Sequence, residues 1–356
     1  MVKRNGTFQG INIEHYKIGD SHPVFVIAEI GVNHNGNLEL AKQLIREASL
    51  CGADCVKFQT FKADRVATKD APKAAYQLQT TAKNESQVDM LKKLEMSMDS
   101  YREIIECCKE NNVLFISTPY NIEDVDFLEE LGVSAYKLAS IHASEPWFAS
   151  YVAKTGKPVI LSTGMATLAE LELTIGKMTE TKNKQIMLLQ CTTNYPSKLE
   201  DTNLLAMQTL AEKFNLIVGY SDHTTDDVAC IVSVGLGAKV IEKHFTIDKS
   251  LEGPDQSTSA NPEEFSRLVQ AIRSAELVLG SNVKEPCEIE KQNMHGMRRS
   301  IVAKCNIKKG EILDMKSITF KRPSKGLEPR YFEEIIGKRT VRDIIIDEFI
   351  HIKDVE

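Results

Sequence analysis

The chain of 356 residues reads as a (β/α)8 barrel of the TIM type followed by a small second domain, and three features of the sequence predict this. Eight short apolar, β-branched runs alternate with segments of helical period, which implies a parallel sheet. The runs are almost continuously hydrophobic, as strands covered on both faces are, and their number favours closure into a barrel over an open doubly wound sheet. Beyond Gly280 the alternation stops. An open sheet would also want a glycine-rich phosphate loop after its first strand, and Gly31-Val32-Asn33-His34-Asn35-Gly36 matches neither the dinucleotide nor the P-loop pattern.

The strand runs lie at 24–30, 54–59, 113–117, 135–139, 158–162, 185–191, 216–221 and 239–244. Apolar residues at helical spacing fill 38–50, 98–110, 122–131, 145–154, 168–178, 202–213, 226–236 and 262–279. The stretch 63–89 is polar, without a clear period and too long for an ordinary barrel connection, and a loop of that length is expected to carry function or disorder. Residues 1–280 are therefore assigned to the barrel, 281–296 to a polar linker and 297–356 to the second domain. In that domain short strands at 300–303 and 318–321 are separated by turn signals such as Lys309-Gly310 and Pro323-Ser324-Lys325-Gly326.

Composition excludes several classes. With 42% hydrophobic and 26% charged residues the chain is neither fibrous nor disordered. Its apolar runs are far shorter than the roughly 20 residues of a spanning helix. The opening MVKRNGTFQG has no apolar stretch after its basic residues, unlike a secretory signal, so a cytoplasmic location is expected. Eight cysteines are too sparse for a disulfide framework and are expected to be free thiols. A net charge of −6 disfavours nucleic acid as a partner. The charge is uneven: from Met297 onward 14 basic residues face 10 acidic ones, and the preceding residues carry 30 against 40. Such a basic module is either a solvated surface or an aid to capturing an anionic ligand.

Active sites of such barrels lie at the C-terminal ends of the strands, and here those ends are strongly polar. His223 and His244 close adjacent strands, near Glu29 and Asp222, and suit a divalent cation such as Mn²⁺, Zn²⁺ or Fe²⁺. Lys57 and Lys137 lie in otherwise apolar strands, where an unpaired ammonium is costly, so each is expected to meet an anion. Thr118, Ser140 and Ser162 add hydroxyls, and the set suits a phosphate and a carboxylate. A Schiff base is the other use of a barrel lysine, and it would need neither the hydroxyls nor the histidines. Lys243 should point outward by strand alternation.

The segments IAEIGVNHNG (27–36), VKFQT (56–60), FISTPY (115–120), YKLAS (136–140), ILSTGM (160–165), GYSDHT (219–224), EKHFT (242–246) and GPDQ (253–256) together resemble the sialic acid synthase family, which includes legionaminic and pseudaminic acid synthases. IVAKCNIKKGEIL and FKRPSKG resemble its C-terminal SAF, or antifreeze-like, domain. The resemblance implies condensation of phosphoenolpyruvate and water with an open-chain N-acetylated hexosamine, giving a nine-carbon 3-deoxy-2-keto acid and phosphate. It implies a divalent metal, typically Mn²⁺, on His223 and His244, and Glu29 as the acid near it. Lys57, Thr118, Lys137, Ser140, Ser162, Thr193 and Ser221 resemble the phosphoenolpyruvate cradle; His142, Tyr195, Asp255 and Arg322 fall at sugar-contacting positions. It further implies a domain-swapped homodimer, in which the second domain covers the partner's barrel and Arg322 meets the sugar's N-acetyl group.

Three residues depart from the family pattern. Ile141 and His142 follow Lys-Leu-Ala-Ser where Gly-Glu or Phe-Glu is typical, and Thr193 stands where asparagine is frequent. An imidazole in place of a carboxylate changes what the sugar side can read. N-acetylmannosamine and the 2,4-diacetamido-6-deoxy hexoses are the candidate acceptors. The competing readings are a related phosphoenolpyruvate–aldose condensation, which the SAF-like extension disfavours, and a non-catalytic sugar-binding barrel.

Overall fold

The computed structural model describes residues 10–74, 77–81 and 84–356. It comprises two compact units, one ending at Gly280 and one beginning at Ser281. Among the described residues no helix is long and apolar enough to cross a membrane.

The first unit opens with an antiparallel hairpin, β1 (Ile11–Ile13) and β2 (Tyr16–Ile18). These strands escape the sequence reading because three residues are too few to show a period. Ile11, Ile13 and Ile18 bury against the inward residues of the barrel that follows. Its strands are β3 (Phe25–Gly31), β4 (Cys55–Thr60), β5 (Leu114–Pro119), β6 (Tyr136–Leu138), β7 (Val159–Ser162), β8 (Ile186–Cys191), β9 (Ile217–Asp222) and β10 (Val240–His244). They pair in parallel and close in the order β10-β3-β4-β5-β6-β7-β8-β9. All eight predicted runs are strands, differing only at their ends.

Alternation along each strand sorts its residues into two layers. Val26, Ala28, Val56, Phe58, Leu161, Leu188, Val218 and Ile241 face outward into the helices, where Leu44, Ile104, Leu128, Leu171 and Leu268 meet them. Ile27, Cys55, Ile116, Ala135, Ile160, Leu189, Ile217 and Val240 fill the interior. The inward row is apolar only up to a certain height; the next inward residues are Glu29, Lys57, Thr118, Lys137, Ser162, Cys191, Ser221 and Glu242. The fold thus delivers a polar floor to the catalytic end of the barrel by parity alone.

The stretch 63–89 is not a featureless loop. It carries short helices at Ala63–Val66 and Gln77–Thr80, and a third at Gln87–Leu94 that Ser86 caps by accepting from Asp89 N at 3.1 Å. Leu94 packs with Val32 and Phe61 in a separate cluster, and this anchoring is what the absence of a long period concealed. Near it, Asn33 Nδ2 donates to Phe245 O at 2.8 Å and to Ser259 Oγ at 2.9 Å, and Gln256 Nε2 donates to Asn33 O at 2.8 Å. The loops after β3 and β10 are thereby latched together.

In the second unit, part of the stretch read as linker is helical, Glu288–Met297. β11 (Ser300–Ala303) and β12 (Ile318–Lys321) pair antiparallel, and isolated bridges such as Ile307↔Ile344 and Thr340↔Val355 tie the remaining segments. Its core is built from Ile301, Ile307, Leu313, Ile318, Ile335, Ile344 and Ile350. Arg342 binds Asp354 Oδ1 at 2.8 Å and Glu348 Oε1 at 2.7 Å.

Gly219 occupies an inward position of β9, where an added Cβ would lie 2.2 Å from Val240 O and 2.7 Å from Leu189 Cδ2. Because one neighbour is backbone, it cannot turn aside. Gly219→Ala is expected to destabilise the barrel by about 1–3 kcal/mol through overpacking. Urea denaturation at unchanged m-value measures it, and an unshifted midpoint would mean that β9 and β10 slide apart freely.

Candidate active site

Four charged residues share the centre of the polar floor, none more than 4% exposed. Lys57 Nζ stands 2.9 Å from Glu29 Oε2, its register partner on β3. Glu242 Oε1 lies 3.9 Å from Lys57 Nζ and 3.6 Å from Lys137 Nζ, and accepts from Ser221 Oγ at 2.9 Å. Two ammonium groups and two carboxylates make the cluster neutral, which permits its burial. Burial alone would lower the pKa of Lys57, but Glu242 and Glu29 outweigh it and hold the ammonium above its ordinary range. Burial does lower Lys137, with Glu242 opposing. The carboxyls are pushed apart. Burial raises Glu29 despite Lys57, whereas Lys137 and Lys57 overcome burial at Glu242 and keep it below the ordinary carboxylate range. Divergent environments for paired carboxyls are the usual basis for separating an acid from a permanently ionised group.

Hydroxyl groups ring the lysines. Lys137 Nζ donates to Ser162 Oγ at 2.7 Å and to Leu138 O at 3.1 Å. Ser140 Oγ meets Cys191 Sγ at 3.1 Å. A Cβ on Gly164 would fall 2.5 Å from Thr193 Oγ1 and 2.8 Å from both Cys191 Sγ and Ser140 Oγ. Glycine at that turn is therefore what lets Ser140, Cys191 and Thr193 converge. Thr118 Oγ1 is buried with no hydrogen-bond partner, a donor left for a ligand.

The two strand-end histidines stand together, ring centroids 5.3 Å apart. His223 Nδ1 bonds to Thr192 O at 2.6 Å, which places its proton there and leaves Nε2 with a lone pair. Burial lowers the pKa of His223 to about 4 and takes His244 well below its ordinary value, so both imidazoles are neutral near pH 7. His244 Nδ1 is buried with no hydrogen bond, 3.6 Å from Asp255 Oδ2. Tyr195 packs beside the pair, its centroid 4.1 Å from His223 in a tilted contact and 5.2 Å from His244 in an edge-on one. Burial, reinforced by Glu29, raises Asp255 to about 7. Two neutral nitrogens, one tautomer fixed by a backbone carbonyl, fit a borderline divalent cation that keeps positions open for oxygen ligands. Among the described residues no group of three or more His, Cys, Asp or Glu is arranged to hold a metal.

Other expectations divide. Lys243 points outward as alternation requires, 2.6 Å from Asp222 Oδ2 and donating to Thr224 O at 2.6 Å. Asp222 is a correction: it does not join the histidines. The parity that turns Ser221 inward turns Asp222 outward, where it also accepts from Tyr220 Oη at 3.1 Å and Thr224 N at 2.9 Å. His142 is buried in the turn after β6, bonded through Nδ1 to Glu145 Oε2 at 2.8 Å. Arg322 lies in the second unit, exposed just beyond β12. Sequence reasoning gave no role to Glu242, although it sits two residues before His244 on the same face. It also passed over Gln59, which donates to Glu29 Oε1 at 2.9 Å and accepts from Tyr120 Oη at 3.0 Å.

Comparison with known proteins agrees with this fold. The family model described as NeuB family matches residues 44–284, and that of the SAF domain matches 298–356. The chain is similar to the N,N'-diacetyllegionaminic acid synthase of Campylobacter jejuni, 44% identical over 91% of this chain and 98% of that protein. It is similar to a pseudaminic acid synthase of the same species, 37% identical over 90% and 93% of the two chains. Among solved structures, N-acetylneuraminic acid synthetase from Leptospira borgpetersenii superposes with a TM-score of 0.74 at 32% identity, covering 82% of this chain and 97% of that one.

The neutral quartet makes a prediction about stability. Glu242→Gln keeps the shape and the Ser221 contact but leaves Lys137 without its carboxylate, and is expected to cost about 3–5 kcal/mol. Millimolar inorganic phosphate should recover much of the lost Tm by re-pairing the lysines. A Tm equal to that of the native chain, or no response to phosphate, would show that the lysines are not held by this anion balance.

Proposed function

Since the chain belongs to the NeuB family, whose members include legionaminic and pseudaminic acid synthases, we propose that it condenses phosphoenolpyruvate with an open-chain N-acetylated hexosamine and water. The products are a nine-carbon 3-deoxy-2-keto acid and inorganic phosphate. The observation that supports this most directly is the juxtaposition of two buried lysines and a hydroxyl ring with two neutral imidazoles, on one floor of the barrel.

In this reading Lys57 and Lys137 receive the anionic groups of phosphoenolpyruvate, with Ser140, Ser162, Thr193 and Thr118 donating to their remaining oxygens, while Ser221 stays on Glu242. C3 of phosphoenolpyruvate bonds to the aldehyde carbon, the aldehyde oxygen takes a proton to become a hydroxyl, water adds at C2, and phosphate leaves as the ketone forms. Glu29, whose proton affinity burial raises although Lys57 opposes it, is positioned to supply or accept the proton at the new hydroxyl. Glu242 stays ionised and keeps both ammonium groups aligned. His223 and His244 would hold the divalent cation, Mn²⁺ in preference, which when bound polarises the aldehyde carbonyl. Tyr195 and Asp255, beside the histidines, are assigned to the acceptor sugar. Arg322 is assigned to its N-acetyl group, in the homodimer that such synthases form by exchange of the second unit.

The test is phosphate release from phosphoenolpyruvate with Mn²⁺, with product mass recorded for N-acetylmannosamine and for 2,4-diacetamido-2,4,6-trideoxy hexoses. One acceptor should give stoichiometric phosphate and a product heavier by the pyruvate unit; silence with all of them would overturn the reading. His244→Ala is expected to lose most of the rate, on the order of 10²-fold or more, and to bind less metal by elemental analysis while remaining folded. Turnover of that variant undiminished under chelator would remove the metal from the mechanism. Arg322→Ala should raise the KM for the sugar about tenfold and leave that for phosphoenolpyruvate unchanged. The reverse pattern would move Arg322 to the anion side.

A further inference from the structure

On the helix side of the barrel wall lies a buried ion pair that no step above uses. Asp222 and Lys243 are register partners on β9 and β10, and each immediately precedes one of the two histidines. Both are buried, and Cys230, on the helix Val228–Gly235, closes over them by donating to Asp222 Oδ2 at 3.2 Å.

Every polar atom of the pair is engaged. Lys243 Nζ directs its three hydrogens to Asp222 Oδ2 at 2.6 Å, Thr224 O at 2.6 Å and Asp226 O at 3.1 Å. Asp222 Oδ1 accepts from Thr224 N at 2.9 Å and Tyr220 Oη at 3.1 Å, and Oδ2 also accepts from Thr224 Oγ1 at 3.2 Å. Two of the ammonium contacts are backbone carbonyls of the loop after β9, so a side chain of β10 holds down the segment that carries His223. The ladder between β9 and β10 ends at this same pair, and His223 lies one residue past it. Buried ion pairs add little net stability over apolar residues of similar volume. What this one fixes is an arrangement.

That arrangement bears on the imidazoles, whose centroids stand 5.3 Å apart. His223 is oriented by the Thr192 carbonyl, but His244 Nδ1 has no hydrogen bond, so the span between the rings is set by the backbone of the two strand ends. Side chains that hold a ligand must be kept within about 0.5 Å of the binding geometry. We propose that Asp222 and Lys243 are positioning residues for the histidine pair: they touch no cation, and they set its affinity by clamping the His223 loop onto the strand of His244. This rests on the reading of His223 and His244 as cation ligands.

Calorimetric titration of the metal-free full chain with MnCl₂, and the visible spectrum of the Co²⁺-loaded chain, test this. Asp222→Asn together with Lys243→Met removes both charges, leaves no unpaired buried ion and is expected to fold with a metal-free Tm close to that of the native chain. Its Kd for Mn²⁺ should rise about 10- to 100-fold, and its Co²⁺ bands should shift. Most of the native kcat should return at saturating Mn²⁺, with the KM for phosphoenolpyruvate unchanged. Tyr220→Phe removes one donor to Asp222 but leaves the clamp, and should lower Tm without changing the Kd for Mn²⁺. A double variant with the native Kd and Co²⁺ spectrum would overturn the proposal, as would a Tyr220→Phe variant that weakens Mn²⁺ equally. A double variant that does not fold would overturn it too, by making the pair an element of stability alone. A native chain that binds no Mn²⁺, or a His244→Ala variant that binds it as well as the native chain, would overturn the histidine assignment itself, and with it this inference.

Discussion

Two ammonium groups and two carboxylates neutralise one another at the top of an otherwise apolar barrel, and the rest of the site depends on that balance. Any one of the four, buried alone, would carry the large desolvation cost of an isolated ion. Together they place Lys57 and Lys137 within reach of Glu242 and Lys57 against Glu29. Strand parity puts them there: each is the next inward residue after an apolar one, so the closed sheet that packs Ile27, Cys55, Ala135 and Val240 also stacks the charges one level above. Stability and chemistry are adjacent floors of the same column.

Everything nearer the rim is shaped to accept what the quartet attracts. The lysines' spare hydrogen-bonding capacity is directed to Ser162 and the Leu138 carbonyl, and Gly164 clears the space into which Ser140, Cys191 and Thr193 project. On the opposite side the imidazoles are kept neutral by burial, and the Thr192 carbonyl decides which nitrogen of His223 is free. Cations face one half of the mouth and lone pairs face the other, a division suited to one anionic and one neutral reactant.

Much of this was legible in the sequence because the barrel strands are buried on both faces and end in residues that cannot be there for packing. Lys57, Lys137, His223 and His244 declare themselves in this way, and the structure brings all four to one rim. Glu242 was visible but unread, since its partners lie on β4 and β6, far from it in sequence, and only barrel closure brings them near. Asp222 was misplaced by adjacency to His223, where alternation is the stronger rule. The β1–β2 hairpin and the cluster of Val32, Phe61 and Leu94 left no signal, because strands of three residues and helices of one or two turns are shorter than the periods that reveal them.

The neutral quartet also bears on the order of events in the proposed reaction. At rest both lysines are satisfied by Glu29 and Glu242, so neither carboxylate is a free base and neither ammonium a free cation. An arriving phosphate and carboxylate compete for the same ammonium groups and draw them from the glutamates. The two carboxyls then respond differently: Glu242 retains Ser221 as a donor, whereas Glu29 keeps only Gln59 and sits where burial already favours a proton. In that reading anion binding frees Glu29 from Lys57 and leaves it as the proton carrier, near Asp255, whose own carboxyl is pushed upward by burial first and by Glu29 second. In the proposed reaction, a barrel that holds its acid and its cations in mutual check would have little chemistry to offer water until phosphoenolpyruvate is in place.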